Sequence, residues 1–433
     1  MQGLLLFVIF IIAIFFELPI AFALGIAGLT FTSVVHLSPS MVIQSSLAAV
    51  DSMALLSVPF FVLAGELMTA GGISKRLINF CNHFMKKTPG SLAMVTVVAS
   101  AIFAAISGSG PATVACIGGI TIPAMKDANY DPDFASVTAA VSGALGPIIP
   151  PSICFILYGV IANVSITKLF TGGIIPGLMM TVGLCIWVYF VSRRKGFGVS
   201  GTNGKTEAVT EAAGEEALTS FFQVFKEAFW ALMVPVIILG GIYGGFMTPT
   251  EAAIIASDYA LIVGLFIHKE IKLRDMFPIF GRAALTCGTI MILVSTATVF
   301  GRELTILGLP QQLANSILGI TTNKILVLLV INLFLFVVGM FMETLAAIII
   351  LAPLLLDIVT PLGVTPLHFG IVMVLNLVIG MCTPPVGVNL FVAAKIGNIK
   401  LEQMIRYLIP ALGVLIFILM LITYIPGLTT FFA

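Results

Sequence analysis

The chain has 433 residues, 59% hydrophobic and only 9% charged, against about 25% charged residues in ordinary soluble domains. That composition excludes a soluble globule, and a formal net charge of +1 with scattered Lys and Arg leaves no basic stripe for a nucleic acid. A helix needs about 20 apolar residues to cross the hydrocarbon core; such runs recur from Leu4 almost to the C-terminus, enough for about ten crossings plus shorter elements.

The first apolar run has no basic region before it and no small-residue cleavage site, because Glu17-Leu18-Pro19 leads straight into a second run. It is expected to be a retained first helix and not a signal peptide. Further breaks fall at His36 to Ser40 and Gly71 to Pro89. The stretch from Ser91 to Met125 is interrupted by Ser107-Gly108-Ser109-Gly110-Pro111, and each arm is short for a span, so residues 91–125 are expected to form a re-entrant helical hairpin. Residues 134–162 hold Gly146-Pro147-Ile148-Ile149-Pro150-Pro151-Ser152 and read as a broken crossing helix. One more span ends at Arg193-Arg194-Lys195.

The polar stretch from Gly196 to Glu216, followed by an amphipathic run from Phe221, reads as a cytoplasmic linker and amphipathic segment over residues 196–226. It separates a first unit, 1–195, from a second, 227–433. In the second unit the stretch from Ile325 to Asp357, with Gly339 near its middle, is the second hairpin (325–357). Residues 367–396, with Gly380-Met381-Cys382-Thr383-Pro384-Pro385-Val386-Gly387, are the second broken helix.

With the N-terminus outside and both hairpins returning to the side they leave, every Lys and Arg except Lys168, Arg302 and Lys324 falls on the cytoplasmic side. The positive-inside rule favours that topology, with N- and C-termini periplasmic. The two units also share a plan. Gly65 and Gly72 fall on Gly301 and Gly308 at an offset of 236, and Pro150-Pro151 and Pro176 fall on Pro384-Pro385 and Pro410 at an offset of 234. Five crossings and a hairpin per unit make an odd number, so the second unit inserts upside down. The expected fold is an all-α polytopic membrane protein of two inverted repeats with interrupted helices at the midplane, as in secondary carriers.

Each Pro-Pro removes amide donors and frees carbonyls that lipid cannot satisfy. Carbonyls combined with Ser and Thr hydroxyls suit a hard cation, while the N-termini of half-helices favour an anion; the pairing points to sodium and a carboxylate. Packing kinks explain one such site as well, but explain two symmetric pairs less well. Among acids in or near apolar spans, Asp51, Glu66, Glu251, Asp258 and Glu343, only Glu343 sits on a hairpin tip, where a proton relay would need it. Glu251, in Thr248-Pro249-Thr250-Glu251, equally reads as a helix-start carboxylate. The six cysteines are isolated and show no metal spacing.

The segments Ser107-Gly108-Ser109-Gly110-Pro111-Ala112-Thr113-Val114-Ala115, Gly146 to Ser152, Thr248-Pro249-Thr250-Glu251-Ala252-Ala253 and Thr383-Pro384-Pro385-Val386-Gly387-Val388-Asn389-Leu390 together resemble the large membrane (M) subunit of tripartite ATP-independent periplasmic (TRAP) transporters, the DctM-like family. The likeness covers essentially the whole chain in order. It implies a sodium-coupled, elevator-type importer in a bacterial inner membrane, carrying a C4-dicarboxylate, sialic acid or other sugar acid. It also implies two partners: a small four-helix membrane (Q) subunit, expected here as a separate polypeptide, and a periplasmic substrate-binding (P) protein. By motif, the resemblance places a first sodium site at Ser107, Ser109, Thr113, Gly146 and Pro147, and a second at Gly339, Met342, Thr344, Gly380 and Thr383. Pro150, Pro151, Pro384 and Pro385 would hold the breaks, and substrate would lie near Ser109, Thr344 and Asn389. One alternative is a stand-alone sodium/anion symporter of the same superfamily that needs no binding protein. An intramembrane enzyme would need a nucleophile with its base, or a metal cluster, at membrane depth, and the sequence shows no such set.

Overall fold

The computed structural model describes residues 2–34, 38–86, 88–198 and 221–432, which are helical with no strand among them. His36, Lys87, Lys205 and most of the expected linker (199–220) lie outside the described residues. The first unit comprises α1 (Gln2–Phe15), α2 (Ile20–Val34), α3 (Pro39–Val50), α4 (Ser57–Ala70), α5 (Ile73–Met85), α6 (Ser91–Ser107) and α7 (Gly110–Thr113). A π-helical turn, Val114–Gly118, carries α7 into α8 (Gly119–Asp127); α9 (Pro132–Gly143), α10 (Ile153–Ala162) and α11 (Ile166–Lys195) follow. The second unit comprises α12 (Phe221–Tyr243), α13 (Pro249–Ile262), α14 (Leu273–Ile306), α15 (Leu309–Ile320), α16 (Lys324–Phe341), α17 (Thr344–Val359), α18 (Pro366–Gly380), α19 (Val388–Gly397), α20 (Leu401–Tyr424) and α21 (Gly427–Thr430).

Local chemistry sets many of these boundaries. Asp131, Ser152, Ser165, Asn323 and Thr365 cap their helices by accepting backbone N–H bonds that the first turn leaves without partners. Thr248 and Glu251 form a capping box at the start of α13, so Glu251 is a helix-start carboxylate. At the elbow between α4 and α5, bent by 70°, Gly72 adopts φ +69°; Gly308, its counterpart at the offset of 236, adopts φ +62° between α14 and α15. Left-handed backbone costs a glycine nothing sterically.

Among the described residues seven helices are long and apolar enough to cross a membrane, or eight with α4 and α5 counted as one bent span. Helices α2, α4, α13 and α14, which pack on one another outside the broken helices, form the framework, and α14 turns large apolar side chains outward, as Phe277 and Leu285 do at 89% and 75% exposure. The broken helices are the opposite: every residue from Phe134 to Gly143 in α9 and from His368 to Gly380 in α18 is buried. A helix buried on all faces belongs to the interior of a bundle.

The packing is crossed between the units. On the framework, α2 packs on α14 and α13 on α4. Inside, α6 lies along α9 and α16 along α18, while α19 packs on α9 and on the π-turn, and α10 packs on α17. Each hairpin's second arm therefore rests on the broken helix of the other unit. The second hairpin does not turn at Gly339, which lies inside the last turn of α16; the chain reverses at Met342-Glu343.

Candidate functional site

The tip of the first hairpin is built on Gly108, whose φ of +58° ends α6, and on extended Ser109, after which Gly110 and Pro111 open α7. Thr113 Oγ1 donates to the Ser109 carbonyl at 2.8 Å and lies 2.9 Å from Ser107 Oγ, so three oxygens converge there. The tip seats on the break between α9 and α10: a Cβ at Gly146 would stand 2.5 Å from the Ser109 carbonyl oxygen. Only a residue without a side chain permits that approach. Ser152 closes the break, donating its hydroxyl to the Pro147 carbonyl and accepting from Phe155 N. The Pro150-Pro151 and Pro384-Pro385 peptides are both cis.

The second hairpin seats likewise on the break between α18 and α19. A Cβ at Gly380 would stand 2.6 Å from the Cα of Gly339. Thr383 Oγ1 donates to Ile379 O at 2.9 Å, the Thr344 hydroxyl meets Met381 Sδ at 2.9 Å, and Gly387 N reaches Met340 O at 3.4 Å. Met342, half-buried, caps α16 through its own amide. Gly339, Gly380, Thr344 and Thr383 lie along this contact, while the bond of Met342 stays within its own helix.

A cavity of about 460 Å³ separates the tips from the framework. Ser107, Ser109, Pro147, Glu343 and Thr344 line it on one side, and Glu66 and Thr69 of α4 with Thr286 and Thr289 of α14 on the other. The first residues of α7, α10 and α17, namely Gly110, Ile153 and Thr344, all reach its wall, so three helix N-termini turn partial positive charge toward it. Thr113, Gly146, Gly339, Gly380 and Thr383 lie behind that surface.

Asn389 departs from the expected substrate position. It is fully buried, does not line the cavity, and its Nδ2 donates to Ala140 O at 3.4 Å. Its amide lies against Gly110 and Gly143, where a Cβ on either would come within 3.1 Å of it, and it ties the second break to α9. The motif placed Asn389 beside a helix start, but only the crossed packing decides which way the side chain faces.

Three features escaped the sequence. Arg282 Nε donates to Glu66 Oε2 at 2.8 Å across the framework wall. Glu303 is fully buried and accepts from Thr32 Oγ1 at 2.7 Å. At the α4–α5 elbow, His268 Nδ1 bonds Gly71 O at 3.0 Å while Arg76 bonds Gly72 O and pairs with Glu270 at 2.6 Å. Burial holds the His268 imidazole below its usual pKa, opposed by its bond to Gly71. Apart from Arg76 and Gly72, the partners in these three sets lie far apart in the chain, and periodicity carries no trace of such pairings. Among the described residues no cluster of three or more His, Cys, Asp or Glu could hold a metal ion.

Comparison with known proteins gives the family and the fold. The family model for the DctM component of the tripartite ATP-independent periplasmic transporter matches residues 7–428. An isethionate TRAP transporter permease protein of Oleidesulfovibrio alaskensis is 46% identical over 96% of this chain; the chain spans 64% of that relative's length. The sialic acid TRAP transporter large permease of Vibrio cholerae is 36% identical over 96% of this chain and 95% of its own length. A C4-dicarboxylate TRAP transporter large permease of Pseudomonas aeruginosa is 38% identical over 87% of this chain and 85% of its own. Among solved structures, the YdaH transporter of Alcanivorax borkumensis shares the fold, with a TM-score of 0.65 over 89% of this chain and 87% of that one, at 12% identity. The relatives are transporter permeases, not enzymes, and the chain, a multi-pass membrane protein, belongs to the DctM family of TRAP transporter large permeases.

Proposed function

We propose that this chain is a sodium-coupled importer of a small organic anion, working by an elevator motion with substrate delivered by a periplasmic binding protein. The observation that carries the reading is the paired seating of two hairpin tips on two broken helices, Ser109 on Gly146 and Gly339 on Gly380, around one cavity faced by helix N-termini. Oxygen-rich breaks behind the surface suit a small hard cation, and the N-termini at the surface suit an anion. The first sodium site is assigned to Ser107, Ser109, Thr113, Gly146 and Pro147, and the second to Gly339, Met342, Thr344, Gly380 and Thr383. Substrate lies between Ser109 and Thr344, with Asn389 joining the two units from behind.

The two units are read as inverted repeats with re-entrant hairpins. Support comes from the matched left-handed glycines 72 and 308, the matched breaks and the crossed packing of hairpin arms. The relatives named for isethionate, sialic acid and C4-dicarboxylates share an anionic head group, and that class is the proposed substrate. The working unit includes a small four-helix membrane subunit and the binding protein, in a bacterial inner membrane with both termini of this chain periplasmic.

The test is uptake of labelled isethionate, sialic acid and succinate into proteoliposomes holding this chain and its small partner. The binding protein is added or omitted, under a sodium or a proton gradient. Uptake of one acid needing both sodium and the binding protein is the expected result. Sodium-driven uptake without the binding protein would replace this reading with the stand-alone symporter, and uptake driven by protons alone would overturn sodium coupling.

A further inference from the structure

Glu66 lines the framework side of the cavity, and Arg282, just outside that lining, bonds it. Their 2.8 Å bond leaves the side chains 54% and 30% exposed. Glu66 lines the cavity on the same stripe of α4 as Val62 and Thr69. Arg282 lies four residues before Thr286 and seven before Thr289, the cavity-lining threonines of α14, so all three share one helical face. Among the described residues no Lys or Arg lines the cavity itself, and its two acidic wall residues are Glu66 and Glu343. The guanidinium uses Nε for Glu66 and carries four further N–H donors in a planar fork suited to a carboxylate or sulfonate.

We propose that Arg282 determines how the anion is held and released on the side of the membrane where residues 268–274 lie, with Glu66 as the competing carboxylate. This rests on reading the cavity as the substrate site. The helix N-termini at the tips hold the anion by partial charges, and Arg282 offers a full charge one helical turn beyond the threonine wall. As the anionic group leaves the tips, the fork exchanges Glu66 for the substrate, and the return of Glu66 expels it. Without Glu66 the arginine would trap the anion; without Arg282 the anion would meet only Glu66, which repels it.

The two partners therefore have opposite effects, which a merely structural ion pair would not. The experiment reads exchange of labelled isethionate, sialic acid and succinate across proteoliposomes of the complete membrane complex. The half-saturating concentration is measured at the face bearing residues 268–274. Arg282→Gln is expected to raise it about tenfold and Arg282→Lys less, because a lysine keeps the charge but loses the fork. Glu66→Gln is expected to lower it several-fold while slowing maximal exchange. Shifts in the same direction for Arg282→Gln and Glu66→Gln, or no shift in either, would overturn the inference. If Arg282→Gln does not reach the membrane, Arg282→Lys and Glu66→Gln still must move in opposite directions. Exchange by the unaltered chain with unshifted variants defeats this inference alone; no exchange of any of the three acids by the unaltered chain defeats the functional reading with it.

Discussion

Gly380 lies so close to Gly339 that a Cβ on Gly380 would stand 2.6 Å from the Gly339 Cα. Backbone is on both sides of this contact, so no side chain can move aside to admit a methyl group. A Gly380→Ala chain must push the second hairpin off its break, at a cost of ~1–3 kcal/mol for an overpacked interior. Sodium-dependent uptake is expected to fall at least about tenfold. Gly413→Ala, where an added Cβ meets nothing within 4 Å, is expected to transport normally. Equal uptake by both variants would detach the Gly339–Gly380 contact from function.

Replacing Ser107 or Thr383 by Leu is expected to abolish sodium-driven uptake while the protein still inserts, since each fills an oxygen site with apolar bulk. Thr113→Val is the milder probe: it keeps the shape but removes the hydroxyl bonded to the Ser109 carbonyl and facing Ser107. Losing such a bond in a buried site costs about 1–3 kcal/mol, so half-saturation for sodium should rise by a factor between about 5 and about 150. Normal sodium curves in all three variants would sink the first- and second-site assignments.

Two or more sodium ions per monoanion would make import electrogenic. One net charge crossing the field is worth about 2.3 kcal/mol per 100 mV. A potassium diffusion potential, negative inside, should therefore raise accumulation about fiftyfold per net charge at 100 mV. Accumulation of a monoanion that ignores the potential would contradict that stoichiometry.

His268 supplies a pH dependence. Burial lowers its pKa in the fold relative to 6.5, so in the window just below 6.5 the unfolded chain binds more protons than the folded one. Stability contributed by the neutral imidazole, present above 6.5, is lost as pH falls through that window toward the folded pKa. Lowering pH from 7.5 toward 5.5 should lower the Tm in detergent, and His268→Gln should reduce that drop. An unchanged slope in the variant would assign the acid sensitivity elsewhere.

Helix breaks were legible because Pro, Gly and Ser interrupt otherwise unbroken apolar runs, and an interruption inside lipid has few structural solutions. Ser107 to Thr113 and Gly146 to Ser152 could thus be read directly. Gly339 was harder: its glycine is needed for contact with Gly380 and not for the turn, and composition alone does not separate those uses. The facing of Asn389 and the partners Arg282 and Glu66, 216 residues apart, depend on how the two units cross, which no local pattern encodes. Glu303 is a lone acid near the end of α14 whose burial comes from the approach of α2 through Gly28 and Thr32, which the residues around it do not encode.

The measurement that tests the central claim most directly is the initial rate of uptake as a function of sodium concentration, in proteoliposomes of the complete complex, for the unaltered chain and for Thr113→Val and Thr383→Val. Two coupled cation sites predict a sigmoidal curve for the unaltered chain, with each variant shifted to higher sodium. A rate independent of sodium, or a curve that neither variant shifts, would contradict the account.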